Sequence, residues 1–165
     1  MQIIKVKTKE QIKIVVNLAD TIWRQHYSSL LSKEQIDYML ENFQSYDAIT
    51  NQISRENYQY FLIETAQTFQ GFFAIIPKLK EKELFLSKIY IKKEAQGKGY
   101  GRQAVSFMIS IAKKEELKNI TLTVNRGNTN SICAYEKIGF KIIQEMDAQI
   151  GEGFVMNDYK MSLEI

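Results

Sequence analysis

Three glycines at alternate positions, Gly97, Gly99 and Gly101, are the residues of this sequence best suited to holding an anion. They follow an apolar, β-branched run from Leu84 to Ile91 and a charged loop from Lys92 to Gln96. From Tyr100 on, apolar residues recur at helical spacing: Val105, Met108, Ile109 and Ala112. The glycines therefore lie between a buried strand and the first turn of a helix. There the first backbone N–H groups lack intrahelical partners, and the helix dipole adds positive potential. Glycine lets the backbone approach an oxygen-rich anion closely and reach φ > 0. The chemistry that fits is phosphate binding by several N–H groups, with Lys98 and Arg102 close by in the chain.

A second stretch, Leu122 to Phe140, follows a strand that alternates Ile120, Leu122 and Val124 against Thr121 and Thr123. Asn128 stands at or beside the N-cap of the next helix, its side-chain amide expected to be free for a polar ligand. Tyr135 comes seven residues on, two turns along the same face. Both follow the end of a strand, where open α/β sheets place ligands. A tyrosine there can give its proton to a leaving thiolate. Cys133 reads as a small buried residue, with no histidine near it in sequence. His26, the single histidine, reads on its own as structural or exposed. Glu34, Asp37, Glu41 and Asp47 give the second helix an acidic character that would suit a cationic amine.

The elements that must position these residues can be read in order. Gln2 to Val6 alternates as a strand. Thr8 with Gln11 forms a capping box that opens a helix to about His26, and Ser32 with Gln35 opens a second. Tyr46 to Ser54 is a further helical piece. Tyr58 to Glu64 is a strand, Ala66 to Gln70 a turn, and Gly71 to Leu79 its antiparallel partner, with Pro77 marking an irregular or edge end. After the glycine loop a helix runs to about Glu115. Ile120 to Val124 is a strand, Asn128 to Ile138 a helix ended by Gly139, and Phe140 to Met146 and Phe154 to Leu163 are strands around a turn at Gly151 and Gly153. This order gives one α/β domain over residues 1–165: a mixed, mostly antiparallel central sheet flanked by helices.

Hydrophobic residues make up 45% of the 165 and charged residues 25%, as in an ordinary globular protein. A net charge of +3 with no basic run argues against a nucleic-acid partner. No apolar run is long enough to span a membrane, so no membrane partner is expected. The lone cysteine fits a reducing, cytoplasmic setting.

Gln96-Gly97-Lys98-Gly99-Tyr100-Gly101, followed downstream by Asn128, Tyr135 and Gly139-Phe140, resembles the two signature segments of the GNAT superfamily, the Gcn5-related N-acetyltransferases. The element order resembles the GNAT fold as well. The resemblance implies acetyl-CoA as co-substrate and direct transfer of its acetyl group to an amine of a small molecule or a peptide. Backbone groups of Ile89, Tyr90 and Ile91 would pair with the pantetheine arm. The loop of Gln96, Gly97, Lys98, Gly99, Tyr100, Gly101 and Arg102 would hold the pyrophosphate. Asn128 would touch the pantetheine, Tyr135 would protonate the CoA thiolate, and an N–H near Ile91 would steady the oxyanion. A homodimer is compatible with this reading.

A narrower resemblance, to PaiA-like polyamine acetyltransferases, rests on Trp23 to Leu40 and Ile150 to Met161. Such enzymes lead one to expect an acidic residue in the central strand; this chain has Phe85 and Ser87 there, and the base stays open between a water-mediated route and His26, which ends the first helix, where GNAT acceptor sites tend to be walled. Two other readings compete. Gly99-x-Gly101-x-x-Ala104 also fits a dinucleotide-binding turn, but Asn125 stands where that fold wants an acid. A non-catalytic acyl-CoA-binding sensor would keep the glycine loop and tolerate loss of Tyr135.

Overall fold

The helix expected after Thr8 starts there through a closed capping box. Thr8 Oγ1 accepts the Gln11 N–H at 3.2 Å, and Gln11 Oε1 accepts the Thr8 N–H at 3.0 Å. Ser32 and Ser45 cap the next two helices, their Oγ atoms accepting the Gln35 and Ala48 N–H groups. A computed structural model describes residues 1–165. Its elements are β1 (Gln2–Lys5), α1 (Lys9–Tyr27), α2 (Lys33–Gln44), α3 (Tyr46–Arg55), β2 (Gln59–Thr65), β3 (Thr68–Lys78), β4 (Glu83–Ile91), a 3-10 turn (Lys93–Ala95), α4 (Tyr100–Lys114), β5 (Asn119–Asn125), α5 (Thr129–Ile138), β6 (Lys141–Gly151) and β7 (Phe154–Glu164).

The strands hydrogen-bond in the order β1-β2-β3-β4-β5-β7-β6. The β4–β5 pair is parallel, and β1–β2, β2–β3, β5–β7 and β6–β7 are antiparallel. This is the expected mixed, mostly antiparallel sheet. The chain divides into two compact units, Met1–Ile76 with Lys88–Ala104, and Pro77–Ser87 with Val105–Ile165. In the first, α1 buries Ile12, Val15, Ala19 and Ile22 at helical spacing against Tyr60, Leu62, Phe72 and Ala74. In the second, Leu84 and Leu86 of β4 are buried and pair with buried Ile120 and Leu122 of β5, and Met161 of β7 stands opposite Leu122. Among the described residues no helix is long and apolar enough to cross a membrane.

Three boundaries differ from the sequence reading. The β2–β3 turn is only Ala66 and Gln67, both at positive φ (50° and 57°), so β3 begins at Thr68 rather than Gly71. β6 continues to Gly151 instead of stopping at Met146, held by β7 along its length. Asp47 belongs to the first turn of α3, where its charge meets the helix dipole, and not to the second helix.

Candidate active site

The glycine loop lies between β4 and the start of α4. Gly97 and Gly99 take φ of +75° and +80°, and a Cβ at either would meet nothing within 4 Å. Gly99 supplies the first carbonyl of α4, accepting the Gln103 N–H at 3.1 Å. Tyr100, Gly101 and Arg102 form the first turn of α4, so their N–H groups point toward its N-terminal end. Gly101 differs from the other two: its φ is not positive, and a Cβ there would touch Ile91 Cδ1 at 3.7 Å, an ordinary contact. Lys98 is exposed. Gln96 turns back, donating from Nε2 to the Ile91 carbonyl at 3.2 Å, and so ties the loop to the end of β4.

That strand end is shaped by a glycine the sequence reading passed over. A Cβ on Gly71 would lie 2.2 Å from the Tyr90 carbonyl oxygen and 2.9 Å from Ile91 Cα. Only glycine lets β3 come this close to the Tyr90–Ile91 peptide. The Lys92 N–H then bonds the Gln70 carbonyl at 2.8 Å, fixing the exit of β4. The Tyr90 ring packs among Trp23 (5.3 Å), Phe72 (5.6 Å) and Tyr27 (6.3 Å), and the hydroxyls of Tyr27 and Tyr90 lie 3.3 Å apart. The structure thus brings Ile89, Tyr90 and Ile91 into one unit with the whole Gln96 to Arg102 loop.

The second unit carries Asn128 and Tyr135. Asn128 is buried, and its Oδ1 accepts the Ser131 N–H at 3.2 Å as the N-cap of α5. The amide is therefore committed at its oxygen rather than free, as the sequence reading had it. Tyr135 is half-buried, edge-on to Phe140 at 5.6 Å. Its carbonyl accepts both the Gly139 and Phe140 N–H groups at 3.1 Å, which closes the helix at a left-handed Gly139. Cys133 is exposed, not buried: α5 turns Ile132 inward, and the next residue falls about 100° round the helix.

Three groups set the charge balance of the first unit. Lys88 of β4 is 9% exposed. It donates to Gln52 Oε1 at 3.2 Å and lies over the rings of Tyr58 (4.6 Å) and Tyr60 (5.4 Å). Burial outweighs the pull of Glu56 and brings its ammonium down to a pKa of about 7. Sequence patterning reads such a lysine as a solvated charge; its place between apolar Leu86 and Tyr90 on one strand face was the available signal. The acidity of α2 is also partly neutralised, since Asp37 takes Arg24 at 2.6 Å and Lys33 at 2.9 Å. His26 is half-buried and edge-on to Tyr27 at 4.9 Å, and burial lowers its pKa, so its ring is neutral at pH 7.

The sequence matches the acetyltransferase (GNAT) family over residues 17–140. It is 24% identical over 151 residues to a spermidine N(1)-acetyltransferase of Thermoplasma acidophilum, covering 89% of this chain and 90% of that one. Among solved structures, the PaiA N-acetyltransferase of Thermoplasma acidophilum in complex with coenzyme A superposes with a TM-score of 0.80 at 23% identity, over 100% of both chains. A spermidine N-acetyltransferase SpeG variant of Vibrio cholerae gives 0.69 at 18% identity, over 99% of this chain and 95% of the other.

Proposed function

The chain belongs to the GNAT family of acetyltransferases, and we propose that the amine it acetylates is a small flexible polyamine of the spermidine class. The observation that carries this is the spermidine acetyltransferase of Thermoplasma acidophilum, alike over nine-tenths of both chains. Exposed acids on α2, Glu34 and Glu41, are in keeping with a polycationic acceptor. In this reading residues 1–165 act as one acetyltransferase domain in the cytoplasm, in keeping with a single cysteine. A homodimer belongs to the same reading, with β6, last in the strand order, offering its outer edge.

Acetyl-CoA supplies an acetyl group activated as a thioester. The residues present fit it: two positive-φ glycines with open space beside them precede a helix N-terminus, a cradle for a pyrophosphate. The backbone of Gln96 to Arg102 would hold those phosphates, and Ile89, Tyr90 and Ile91 would pair with the pantetheine as an added strand. Asn128, at the cap of α5, would touch the pantetheine. Tyr135 would give its phenolic proton to the leaving sulfur.

An amine panel with acetyl-CoA, read by release of free thiol, tests the acceptor. Spermidine and related polyamines should show the highest kcat/KM. Turnover confined to peptides or aminoglycosides would overturn the polyamine assignment.

A further inference from the structure

We propose that Asp158 is the carboxylate that receives the acceptor's amine and takes its proton. Paired residues share a sheet face, and faces alternate along each strand. The face that holds Phe85 and Ser87 in β4, the positions without the expected acid, therefore also holds Thr121 and Asn125 in β5 and Asp158 in β7. Glu83 begins this face but is neutralised, with Lys78 at 3.1 Å and Lys160 at 3.5 Å.

Asp158 is different. Its Oδ1 is buried and meets no hydrogen-bond partner among the described residues. The nearby cation, Arg126, directs its donors elsewhere. Its Nε bonds the Asp158 backbone carbonyl at 3.3 Å, and its Nη2 bonds the Met146 carbonyl at 3.2 Å and Asp147 Oδ1 at 3.0 Å. Its Nη1 lies 3.8 Å from Glu145 Oε2. Arg126 thus fixes the β7 backbone at residue 158 and leaves Asp158 Oδ1 without a donor. A buried carboxylate oxygen without a donor costs free energy, and an incoming N–H removes that cost. Asp158 stands opposite Asn125 in the ladder, and the Asn125 carbonyl accepts the Asn128 N–H at 2.9 Å, at the start of the helix that carries Tyr135. Burial raises the Asp158 carboxyl above its ordinary range against the pull of Arg126, which makes it a stronger base. On its own face the next charged residue along β7 is Lys160, while Met146 stands opposite Asp158 in β6; Glu145 and Asp147 pair with Tyr159 and Asn157 and so lie on the other face.

The acceptor arrives as R–NH3+. One proton passes to Asp158, and the freed lone pair forms the C–N bond to the thioester carbonyl carbon. The C–S bond breaks with its electron pair going to sulfur, which takes the Tyr135 proton. A second N–H proton restores the Tyr135 phenol, and Asp158 releases its proton to solvent. Ammonium and thioester thus give amide, thiol and one proton.

The inference rests on amine acetylation, not on the polyamine assignment, so the test uses whichever amine the panel favours. Asp158→Asn should fold, melt at or above the wild-type temperature at pH 7 because a buried charge is gone, and keep its Kd for acetyl-CoA. Its kcat/KM should fall by about 10²-fold or more at pH 7, and recover in part as pH rises and the amine deprotonates by itself. Titration with the amine should show weakened binding, and Asp158→Glu should retain more activity than Asn. Turnover within twofold of wild type would overturn the proposal, as would a loss matched by a lower Tm or lost acetyl-CoA affinity. If Asn does not fold, Asp158→Ser takes its place, and failure of both assigns the residue to structure. Wild-type turnover with a different class of amine sinks only the polyamine reading; none with any amine sinks both.

Discussion

Gly71 and the carbonyl oxygen of Tyr90 stand so close that a Cβ on residue 71 would fall 2.2 Å from that oxygen. The contact is with backbone, which cannot swing aside as a side-chain tip can. Gly71→Ala should therefore displace the Tyr90–Ile91 peptide, the segment assigned to the pantetheine. Acetyl-CoA binding should weaken by about tenfold or more, which is about 1.4 kcal/mol, and Tm should fall. Gly101→Ala, where the added carbon meets only Ile91 Cδ1 at 3.7 Å, is the control and should keep its Tm. Equal Tm values for the two variants would show that the strand end yields.

Gly99→Asp should abolish the stabilisation that acetyl-CoA confers by mass action. The variant combines strain at φ +80° with a negative charge beside the expected phosphate. Gly153→Asp separates the two effects, because Gly153 has φ +77°, equally open surroundings and a place in the β6–β7 turn. It should lose similar stability yet still shift with acetyl-CoA. Calorimetry reads both, and an unaltered shift in Gly99→Asp would remove the loop from cofactor binding.

Lys88 makes stability depend on pH in a direction that can be worked out. Its pKa is about 7 folded against 10.5 ordinarily, so between those values the unfolded chain binds more protons. The contribution is full above 10.5 and is lost as pH falls toward 7. Relative to Lys88→Met, wild type should gain about 1.4 kcal/mol per pH unit across that window. Urea unfolding of both proteins at several pH values measures the difference. Parallel curves would mean the ammonium stays charged over Tyr58 and Tyr60.

Tyr135→Phe keeps the ring packed on Phe140 and removes only the proton. Affinity for acetyl-CoA should hold, while kcat falls by about 10²–10⁴-fold, the usual worth of a positioned acid. A thiol-release assay beside a binding titration separates the two. Unchanged kcat would excuse Tyr135 from the chemistry, and lost affinity would make its hydroxyl a binding contact.

What the sequence showed and what it hid follow from the range of the interactions involved. Capping boxes are local, so Thr8 with Gln11 and Ser32 with Gln35 could be read directly. The strand–glycine–helix junction is equally local. The Ala66–Gln67 turn was invisible because both residues take positive φ without glycine or asparagine to announce it. The length of β6 is set by β7, not by its own alternation. Gly71, Lys88 and Asp158 draw their meaning from partners far along the chain: Tyr90, Gln52 and Arg126 respectively. No spacing rule reaches that far.

The strand order carries a consequence for the timing of synthesis. β6 leaves the ribosome before β7, yet β7 lies between β6 and β5 and pairs with both. Until β7 is made, β6 has no strand to join, and the buried face of β5 is bordered on one side only. The second unit therefore cannot close in the order in which it is translated. Meanwhile Ile142 and Ile143, exposed even in the finished fold, remain available to other chains. A chain cut between Gly151 and Phe154 would therefore hold β6 with no strand to join, whatever the state of the rest of the sheet.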